Sequence, residues 1–309
     1  MSEDQQTIPP HFRCGYVTII GEPNVGKSTL MNGLLGQKIS IVTNKPQTTR
    51  HKILGILSTD QHQIVFLDTP GIIKPKYLLQ EVMMQFASSA ITDADVLLFM
   101  IEATNPKAGD DLSHEGAFSR LQGLNRPILL VINKVDLVPK ADLLPVIDFY
   151  SKQFPFKEIF PVSALRMEGT DDLLKALVRE LPEHPPLYPL DIVSEQSQRF
   201  FVSEIIREKI FFKCQEEIPY SATVDLVDFK ERQEGKWFIS ADIYVERDSQ
   251  KGILIGKGGA MLKEIGRIAR QSIEQFLEHP VFLELHVKVR EKWREDPEWL
   301  QRLGYKVDR

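Results

Sequence analysis

The sequence contains little cysteine: Cys14 and Cys214 are the only two in 309 residues. They lie far apart and have no partners at metal-ligand spacing, which argues against a disulfide framework, a zinc site or thiol chemistry. Long apolar runs are also missing, since the longest, at 96–101, is far shorter than the roughly 20 residues of a membrane-spanning helix. The first residues are polar and acidic rather than basic and then apolar, so we expect no targeting signal and a cytoplasmic protein.

An excess of positive charge is missing as well. Lysine and arginine number 38 against 43 acidic residues, which gives a formal net charge of −5. Indiscriminate coating of nucleic acid depends on neutralising many phosphates, so this balance excludes it. Any basic site must be local, and one segment qualifies: residues 247–270 hold six cations and two acids.

Short apolar runs recur at 15–20, 62–68, 94–102 and 127–133 and are separated by segments with helical periodicity. Buried parallel strands have this composition, and their alternation with helices is typical of a doubly wound α/β sheet. A last strand and helix complete the pattern by residue 181. After an N-terminal tail at 1–14, we therefore predict a mostly parallel α/β domain over residues 15–181.

The composition changes after residue 181. Four prolines between 182 and 189 predict a semi-rigid linker over residues 182–195. Beyond it the patterns run helix, strand, strand, helix, helix, strand, which predicts a separate α+β domain over 196–309 with a C-terminal tail.

The segment GEPNVGKS at 21–28 matches the phosphate-binding pattern G-x-x-x-x-G-K-[ST]. It follows a predicted strand and opens a predicted helix, where glycines allow backbone N–H groups to turn toward phosphate oxygens. Lys27 adds charge at the β- and γ-phosphates, and Ser28 offers a hydroxyl to Mg²⁺. We predict that the whole loop binds nucleotide: Gly21, Glu22, Pro23, Asn24, Val25, Gly26, Lys27, Ser28 and Thr29.

A second signal is DTPG at 68–71, directly after an apolar strand. Asp68 is placed to hold the Mg²⁺ shell, and the Gly71 N–H to approach the γ-phosphate. Thr69 and Pro70 between them are predicted to lie at the nucleotide.

Two further segments predict a preference for guanine. NKVD at 133–136 and SAL at 163–165 each end a predicted strand. Asp136 can accept from the guanine N1–H and 2-amino group, a donor pair that adenine lacks. The Ala164 N–H can donate to guanine O6, and Asn133, Lys134 and Ser163 complete the predicted base site.

These segments resemble the sequence boxes of the translation-factor-related GTPases. The remaining box is KPQTTR at 45–50, and the resemblance implies that one threonine in it binds Mg²⁺ and the γ-phosphate. Thr49 is our choice and Thr48 the alternative. With Lys27, Asp68 and Gly71, Thr49 makes up the predicted catalytic set.

One position departs from the Ras-like pattern. Ile72 stands where Ras-like enzymes have the glutamine that orients the attacking water, so we expect slow intrinsic turnover. In related GTPases without that glutamine, an asparagine in the phosphate loop helps to hold K⁺. The resemblance thus suggests that Asn24 binds K⁺ and that K⁺ activates the reaction.

A second glycine loop, GKGG at 256–259, has no following Lys-Ser or Lys-Thr pair, and a helix rather than a strand is predicted before it. It therefore does not predict a second nucleotide site. A G-x-x-G loop between two helices resembles a type II KH domain, in which the loop grips single-stranded RNA. The predicted RNA-binding residues are Gly256, Lys257, Gly258, Gly259, Lys251 and Lys263. Nearby apolar side chains either line the base groove or belong to the core: Ile253, Ile255, Met261 and Ile265.

Taken over nearly its whole length, the chain resembles the Era-like family of bacterial ribosome-assembly GTPases. The resemblance rests on both glycine loops and on LLGQKISI, KPQTTRHKI and SQRFFVSEIIREK. It implies GTP and GDP as ligands, binding to 16S ribosomal RNA near its 3′ end, a role in small-subunit assembly, a monomer, and peripheral contact with the cytoplasmic membrane. Three alternatives remain open: a GTPase of tRNA modification, a P-loop kinase, and an RNA-binding protein that uses GTP only as a ligand.

Overall fold

A computed structural model of the protein describes residues 9–105, 121 and 123–306. The chain divides into two compact units. The N-terminal unit comprises the chain up to Ser40, Thr49–Lys74 and Met84–Glu195, and the C-terminal unit comprises Ile41–Thr48, Pro75–Met83 and the chain from Gln196 onward. Two short segments from the first half of the sequence thus belong to the C-terminal unit, which the sequence analysis did not predict.

The N-terminal unit is built on a six-stranded sheet in the order β2-β3-β1-β4-β5-β6. All neighbouring strands are parallel except β2 and β3, which are antiparallel. The predicted doubly wound, mostly parallel sheet is confirmed, and its central strands are buried along almost their whole length because helices cover such sheets on both faces. The strands are β1 (Arg13–Gly21), β2 (Ile53–Ser58), β3 (His62–Asp68), β4 (Val96–Glu102), β5 (Ile128–Asn133) and β6 (Glu158–Pro161).

The helices of this unit follow the strands in sequence: α1 (Lys27–Leu35), α2 (Leu78–Asp93), of which the residues from Met84 onward belong to this unit, α3 (Lys140–Gln153) and α4 (Thr170–Glu180). Phe99, Leu130 and Tyr150 lie in one buried apolar cluster that joins β4, β5 and α3. The loops that carry GEPNVGKS, DTPG, NKVD and SAL each follow the carboxyl end of a strand, namely β1, β3, β5 and β6. Of the segments with helical periodicity, the one at 115–124 falls largely outside the described residues.

The proline-rich segment 182–195 groups with the N-terminal unit rather than standing apart as a linker. Gln63 Oε1 accepts hydrogen bonds from the backbone N–H groups of Leu187 and Tyr188, at 2.8 and 3.0 Å. The Ile56 N–H donates to the Val193 carbonyl at 2.7 Å. Polar backbone groups that no helix or strand satisfies here find partners on β2 and β3, which fixes the path of the segment.

The C-terminal unit has a three-stranded sheet in the order β7-β8-β9, with β7 antiparallel and β9 parallel to β8. Its core packs Ile206 of the first helix and Ile265 of the longest helix with Ile243 of the central strand. The predicted αββααβ order is present, with two further short helices, α6 and α9. The elements are α5 (Gln198–Lys213), α6 (Ile218–Ser221), β7 (Thr223–Lys230), β8 (Trp237–Val245), α7 (Asp248–Ile255), α8 (Ala260–Leu277), β9 (Val281–Val289) and α9 (Pro297–Arg302).

Within this unit, the segment Ile41–Thr48 lies along α5. Lys45 Nζ donates to the Phe211 carbonyl at 2.6 Å and to the Cys214 carbonyl, close to the end of the helix where carbonyl groups lack helical partners. Arg207 is buried, pairs with Glu204 through two hydrogen bonds, and donates to the Thr48 carbonyl at 2.6 Å. The charged side chains of Lys45 and Arg207 therefore hold this segment against α5.

Candidate nucleotide site and RNA-binding loop

The phosphate loop connects the end of β1 to the start of α1 and depends on glycine at two positions. Gly21 and Gly26 have φ values of 150° and 104°, which side chains rarely adopt. A Cβ atom at Gly21 would overlap the Met100 carbonyl oxygen, and one at Gly26 would overlap Asn133 Nδ2. Residues of β4 and β5 thus leave space at these points only for backbone. The N–H groups before α1 can therefore face an anion.

Lys27 is buried, and its ammonium group lies against the loop itself. Nζ donates to the Gly21 carbonyl at 3.1 Å and to the Glu22 carbonyl at 2.8 Å. Burial lowers the pKa of Lys27 to about 8, and the carboxylates of Asp68 and Glu22 oppose this shift. Burial removes the water molecules that would solvate the ammonium group. The phosphates of a bound nucleotide would replace them as hydrogen-bond acceptors.

Asp68, at the end of β3, is fully buried. Its Oδ2 accepts hydrogen bonds from Ser28 Oγ at 2.6 Å and from Ser40 Oγ at 2.7 Å. Its Oδ1 is also buried and has no hydrogen-bond partner among the described residues. Burial raises the pKa of Asp68, while the hydrogen bonds from Ser28 and Ser40 and the charge of Lys27 lower it. A buried carboxylate oxygen without a partner calls for a cation or its bound water.

The position of Thr49 favours it over Thr48 as the metal-binding threonine. Thr49 Oγ1 lies 3.1 Å from Ser28 Oγ. Thr48 Oγ1 instead bonds to Thr43 Oγ1 and to the Lys45 carbonyl, both at 2.7 Å. Two hydroxyls and a carboxylate converge at one place, and Mg²⁺ prefers such oxygen donors. The residues therefore fit the predicted metal.

Gly71 and Ile72 follow β3 directly behind the phosphate loop. A Cβ atom at Gly71 would come within 2.7 Å of the Pro23 nitrogen, so the two loops touch through backbone. The Ile72 N–H donates to the Gly21 carbonyl at 3.3 Å, and the Ile72 side chain packs against the core cluster of β4, β5 and α3. Ile72 is thus a packing residue and offers no polar atom to a water. Thr69 Oγ1 also bonds inward, to the Ile19 carbonyl at 3.0 Å.

In the base site, Asn133 bonds to two neighbouring loops. Its Nδ2 donates to the Val25 carbonyl at 2.7 Å, and its Oδ1 accepts from the Ala164 N–H at 2.8 Å. The N–H that we assigned to guanine O6 is therefore engaged by Asn133 in this structure. The reason is geometric: β5 and β6 are adjacent parallel strands, so the side chain that ends one reaches the loop that leaves the other.

Asp136 is nearly buried and faces a cation that the sequence analysis did not identify. Arg166 Nε lies 3.7 Å from Asp136 Oδ2, and Arg166 also lies 3.9 Å from Glu168. The loop carrying Arg166 is closed by paired hydrogen bonds between Ser163 and Glu168, at 3.0 and 3.2 Å. Lys134 forms an ion pair with Glu102 on β4. All predicted base-site residues thus come together at the carboxyl ends of β5 and β6.

The second glycine loop lies between α7 and α8, as predicted, but its glycines differ in role. Gly256 has φ of 70°, and a Cβ atom there would lie 2.8 Å from Met261 Cβ, so Gly256 is required by packing. Gly258 and Gly259 have φ of 60° and 79° with nothing within 4 Å of an added Cβ atom. The two open glycines, rather than Gly256, therefore present backbone that a ligand can approach.

The positive charge around this loop is partly neutralised. Glu264 accepts from Arg267 Nε at 2.8 Å and from Lys213 Nζ at 3.1 Å. These hydrogen bonds lower the pKa of Glu264 to about 2, and desolvation opposes the shift. Three lysines have no ion-pair partner among the residues that the structure describes, and they are the three predicted to contact RNA: Lys251, Lys257 and Lys263.

The apolar residues beside the loop divide between core and surface. Ile265 is fully buried in the core, whereas the Ile253 side chain is 53% exposed. Ile255 and Met261 pack partly against the core, so of the four candidates Ile253 is the one available to a base. In the tail, Trp293 is buried and its Nε1 donates to the Ser221 carbonyl at 2.8 Å.

The fold and the two loops define a class: a P-loop GTPase domain followed by a KH domain. The profile of a family described as a 50S ribosome-binding GTPase matches residues 16–134, and that of the KH domain matches residues 217–294. The chain is 49% identical over 295 residues to GTPase Era of Geobacter metallireducens, which covers 95% of this chain and 98% of the relative. It is 44% identical over 298 residues to GTPase Era of Ruminiclostridium cellulolyticum, covering 96% and 99%. The chain belongs to the Era family of GTPases.

Two solved Era structures match at a TM-score of 0.91, and each covers 96% of this chain and 100% of its own. One is a variant of Aquifex aeolicus Era bound to GDP and AlF₄⁻, at 41% identity. The other is Era in complex with MgGDPNP and nucleotides 1506–1542 of 16S ribosomal RNA, at 42% identity. The predicted GTPase activity, GTP and GDP ligands, and Mg²⁺ are therefore confirmed at the level of the family. Within the part of the chain that the structure describes, no helix has the length and apolar character needed to cross a membrane.

Proposed function

We propose that this chain hydrolyses GTP at the carboxyl ends of β1, β3, β5 and β6 and uses the reaction in assembly of the small ribosomal subunit. The observation that carries the catalytic part is the buried Asp68, whose Oδ1 has no hydrogen-bond partner among the described residues and lies beside the hydroxyls of Ser28 and Thr49. Mg²⁺ held by these residues would neutralise charge on the β- and γ-phosphates. Lys27 and the backbone N–H groups of the phosphate loop orient the phosphates, and the Gly71 N–H approaches the γ-phosphate.

Guanine selection is assigned to Asp136. Its carboxylate is nearly buried. Guanine offers it two N–H donors, whereas a base without them would leave a buried charge without hydrogen bonds. Asn133 contributes by holding the phosphate loop and the Ala164 loop in register. These contacts support a site that distinguishes GTP from ATP and oppose the alternative of a P-loop kinase. An assay for transfer of phosphate to an acceptor other than water tests that alternative.

The C-terminal unit is proposed to bind 16S ribosomal RNA near its 3′ end. Support comes from the open backbone at Gly258 and Gly259, the three lysines around it that form no ion pair within the described part of the chain, and the RNA present in the similar Era complex. The KH domain opposes the alternative of a tRNA-modification GTPase. We place the protein in the cytoplasm as a monomer, and peripheral contact with the membrane stays a prediction of the family resemblance.

We propose K⁺ as an activator, held with the help of Asn24. The support is that Ile72 packs into the core, so no side chain at that position orients the attacking water. Asn24 has φ of 67° within the phosphate loop. GTP turnover measured in KCl and NaCl at equal ionic strength should be faster in KCl, and equal rates would contradict the proposal.

The function as a whole is tested by measuring GTP turnover with and without small-subunit RNA for three proteins: wild type, Asp136→Asn and Gly259→Asp. Asp136→Asn should lose guanine specificity. Gly259→Asp should lose RNA binding, because it places a negative charge where the RNA backbone would approach. It should keep its fold and nucleotide binding, since the position is open and aspartate tolerates positive φ better than most residues. Turnover that is absent under all conditions would favour a protein that uses GTP only as a ligand.

A matched control exists for the RNA test. Gly235, in the turn between β7 and β8, has φ of 81° and nothing within 4 Å of an added Cβ atom. Gly235→Asp therefore introduces the same charge and the same backbone strain into the same unit. Equal RNA affinity for Gly235→Asp and Gly259→Asp would remove the basis for assigning the KH loop to RNA.

A further inference from the structure

Ser40 lies in the metal site but belongs to none of the recognised sequence boxes. Its side chain is buried, and its Oγ donates to Asp68 Oδ2 at 2.7 Å. Ser28 Oγ donates to the same oxygen at 2.6 Å. One carboxylate oxygen thus holds two hydroxyl groups, and the other, Oδ1, is left buried without a partner among the described residues.

The backbone of Ser40 is held in place by Asn32 on α1. Asn32 Oδ1 accepts from the N–H groups of Ile39 and Ser40, at 3.0 and 2.9 Å, and Asn32 Nδ2 donates to the Ser40 carbonyl at 2.7 Å. Two of these hydrogen bonds hold Ser40 and the third holds Ile39, so one side chain fixes a segment that lies outside any helix or strand. Asn32 of α1 therefore fixes the backbone position from which the Ser40 hydroxyl reaches Asp68.

Ser40 and Thr49 occupy equivalent places at the two ends of one segment. Ser40 immediately precedes Ile41–Thr48, and Thr49 immediately follows it. Both hydroxyls reach the metal site, Ser40 through Asp68 and Thr49 through Ser28. The sequence boxes account for Thr49 alone.

We propose that Ser40 is a positioning residue of the Mg²⁺ site, which fixes Asp68 through Oδ2 and leaves Oδ1 for the hydrated cation. The proposal rests on the Mg²⁺ role proposed above for Asp68. Ligand carboxylates are commonly held by hydrogen bonds from a surrounding layer, and loss of such a partner weakens metal affinity by about 10–100-fold. Ser40 supplies that layer here because Ser28 is itself a predicted ligand.

The test is Mg²⁺-dependent retention of a fluorescent GDP analogue, measured as its release rate across a Mg²⁺ titration. Ser40→Ala should raise the half-maximal Mg²⁺ concentration about tenfold. Affinity for the analogue in excess EDTA should not change, because the hydrogen bonds of Ser40 among the described residues go to Asn32 and Asp68 and not to the phosphate loop or the base site. Ser40→Cys keeps the side-chain shape and puts a weaker donor in place of the hydroxyl, and should give an intermediate shift.

The control is Thr18→Val, which removes another fully buried hydroxyl of the same unit, bonded to the Ala90 carbonyl at 2.7 Å. It should leave the Mg²⁺ titration unchanged. An unchanged titration for Ser40→Ala overturns the proposal, and so does an equal loss of affinity in EDTA, which would mean a general structural role. If Asp68→Asn also leaves the titration unchanged, the Mg²⁺ role of Asp68 fails, an outcome distinct from failure at Ser40 alone.

Discussion

Asn133 and Ala164 are joined by a 2.8 Å hydrogen bond from the Ala164 N–H to Asn133 Oδ1, while Asn133 Nδ2 donates to the Val25 carbonyl at 2.7 Å. One buried amide therefore connects the loops that follow β1, β5 and β6. We expect its contribution to be structural as well as functional, because these are the loops that we propose to hold the phosphates and the base.

Asn133→Ala should lower the free energy of unfolding by about 2–4 kcal/mol, since two buried backbone groups lose their partners. Urea unfolding of the nucleotide-free protein measures this loss, and affinity for GDP should fall in parallel. Asn125→Ala, at an exposed asparagine, is the control and should change neither quantity. Unchanged stability in Asn133→Ala would mean that the loops keep their positions without the amide.

Nucleotide binding should depend on pH through Lys27, whose pKa burial lowers from 10.5 to about 8. Phosphates favour the protonated ammonium, so binding above pH 8 must take up a proton. We expect affinity for GDP to fall as pH rises through about 8. Calorimetry in two buffers of different ionisation enthalpy should detect the uptake, and Lys27→Met should abolish it.

The same shift has the opposite sign for stability of the nucleotide-free protein. Because the pKa of Lys27 is lower in the folded state, the unfolded chain binds more protons between about pH 8 and 10.5. The contribution of Lys27 therefore makes the folded protein more stable as pH rises through that window. A stability profile that is the same in wild type and Lys27→Met would contradict the lowered pKa.

The sequence predicted the elements that depend on local pattern and missed those that depend on distant partners. β3 has the predicted bounds at 62–68 because a fully buried strand is a continuous apolar run. β2 was not predicted: it is a half-buried antiparallel strand at the sheet edge, and its pairing with β3 decides its structure. The motif glycines were predictable because backbone conformation at each is a local property.

Contacts between side chains could not be predicted in the same way. Ser40 is 28 residues from Asp68, and Ala164 is 31 residues from Asn133. Nothing in the spacing of these residues indicates that they meet, because the register of neighbouring strands and the path of the loops bring them together. For the same reason the packing of Lys45 on the end of α5 was not apparent from KPQTTR.

The glycines of the second loop should respond differently to alanine. Gly256→Ala combines positive φ with a 2.8 Å approach to Met261 Cβ, so it should destabilise the C-terminal unit by about 2–3 kcal/mol. Gly258→Ala meets open space and should cost about 1 kcal/mol from backbone strain alone. Gly235→Ala, equally open, is the reference for strain alone. Urea unfolding measures the loss of unfolding free energy in each of the three variants. A loss in Gly256→Ala no larger than that in Gly235→Ala would contradict the packing role.

Glu264 limits the positive charge that the KH loop region can offer to RNA. It holds both Arg267 and Lys213, on α8 and α5. Glu264→Gln should release these cations to phosphate, so single-stranded 16S RNA should bind more tightly at low salt. Each added phosphate contact should steepen the slope of log K against log salt by about 0.7. Fluorescence anisotropy over a salt series measures both effects.

A change in net charge alone would also strengthen RNA binding, so the control must alter charge elsewhere in the same unit. Glu234→Gln, in the exposed turn between β7 and β8, does this without releasing a cation among the described residues. Its salt slope should match that of wild type. If both variants change affinity and slope equally, the effect is long-range electrostatics and the Glu264 ion pairs do not restrain the RNA surface.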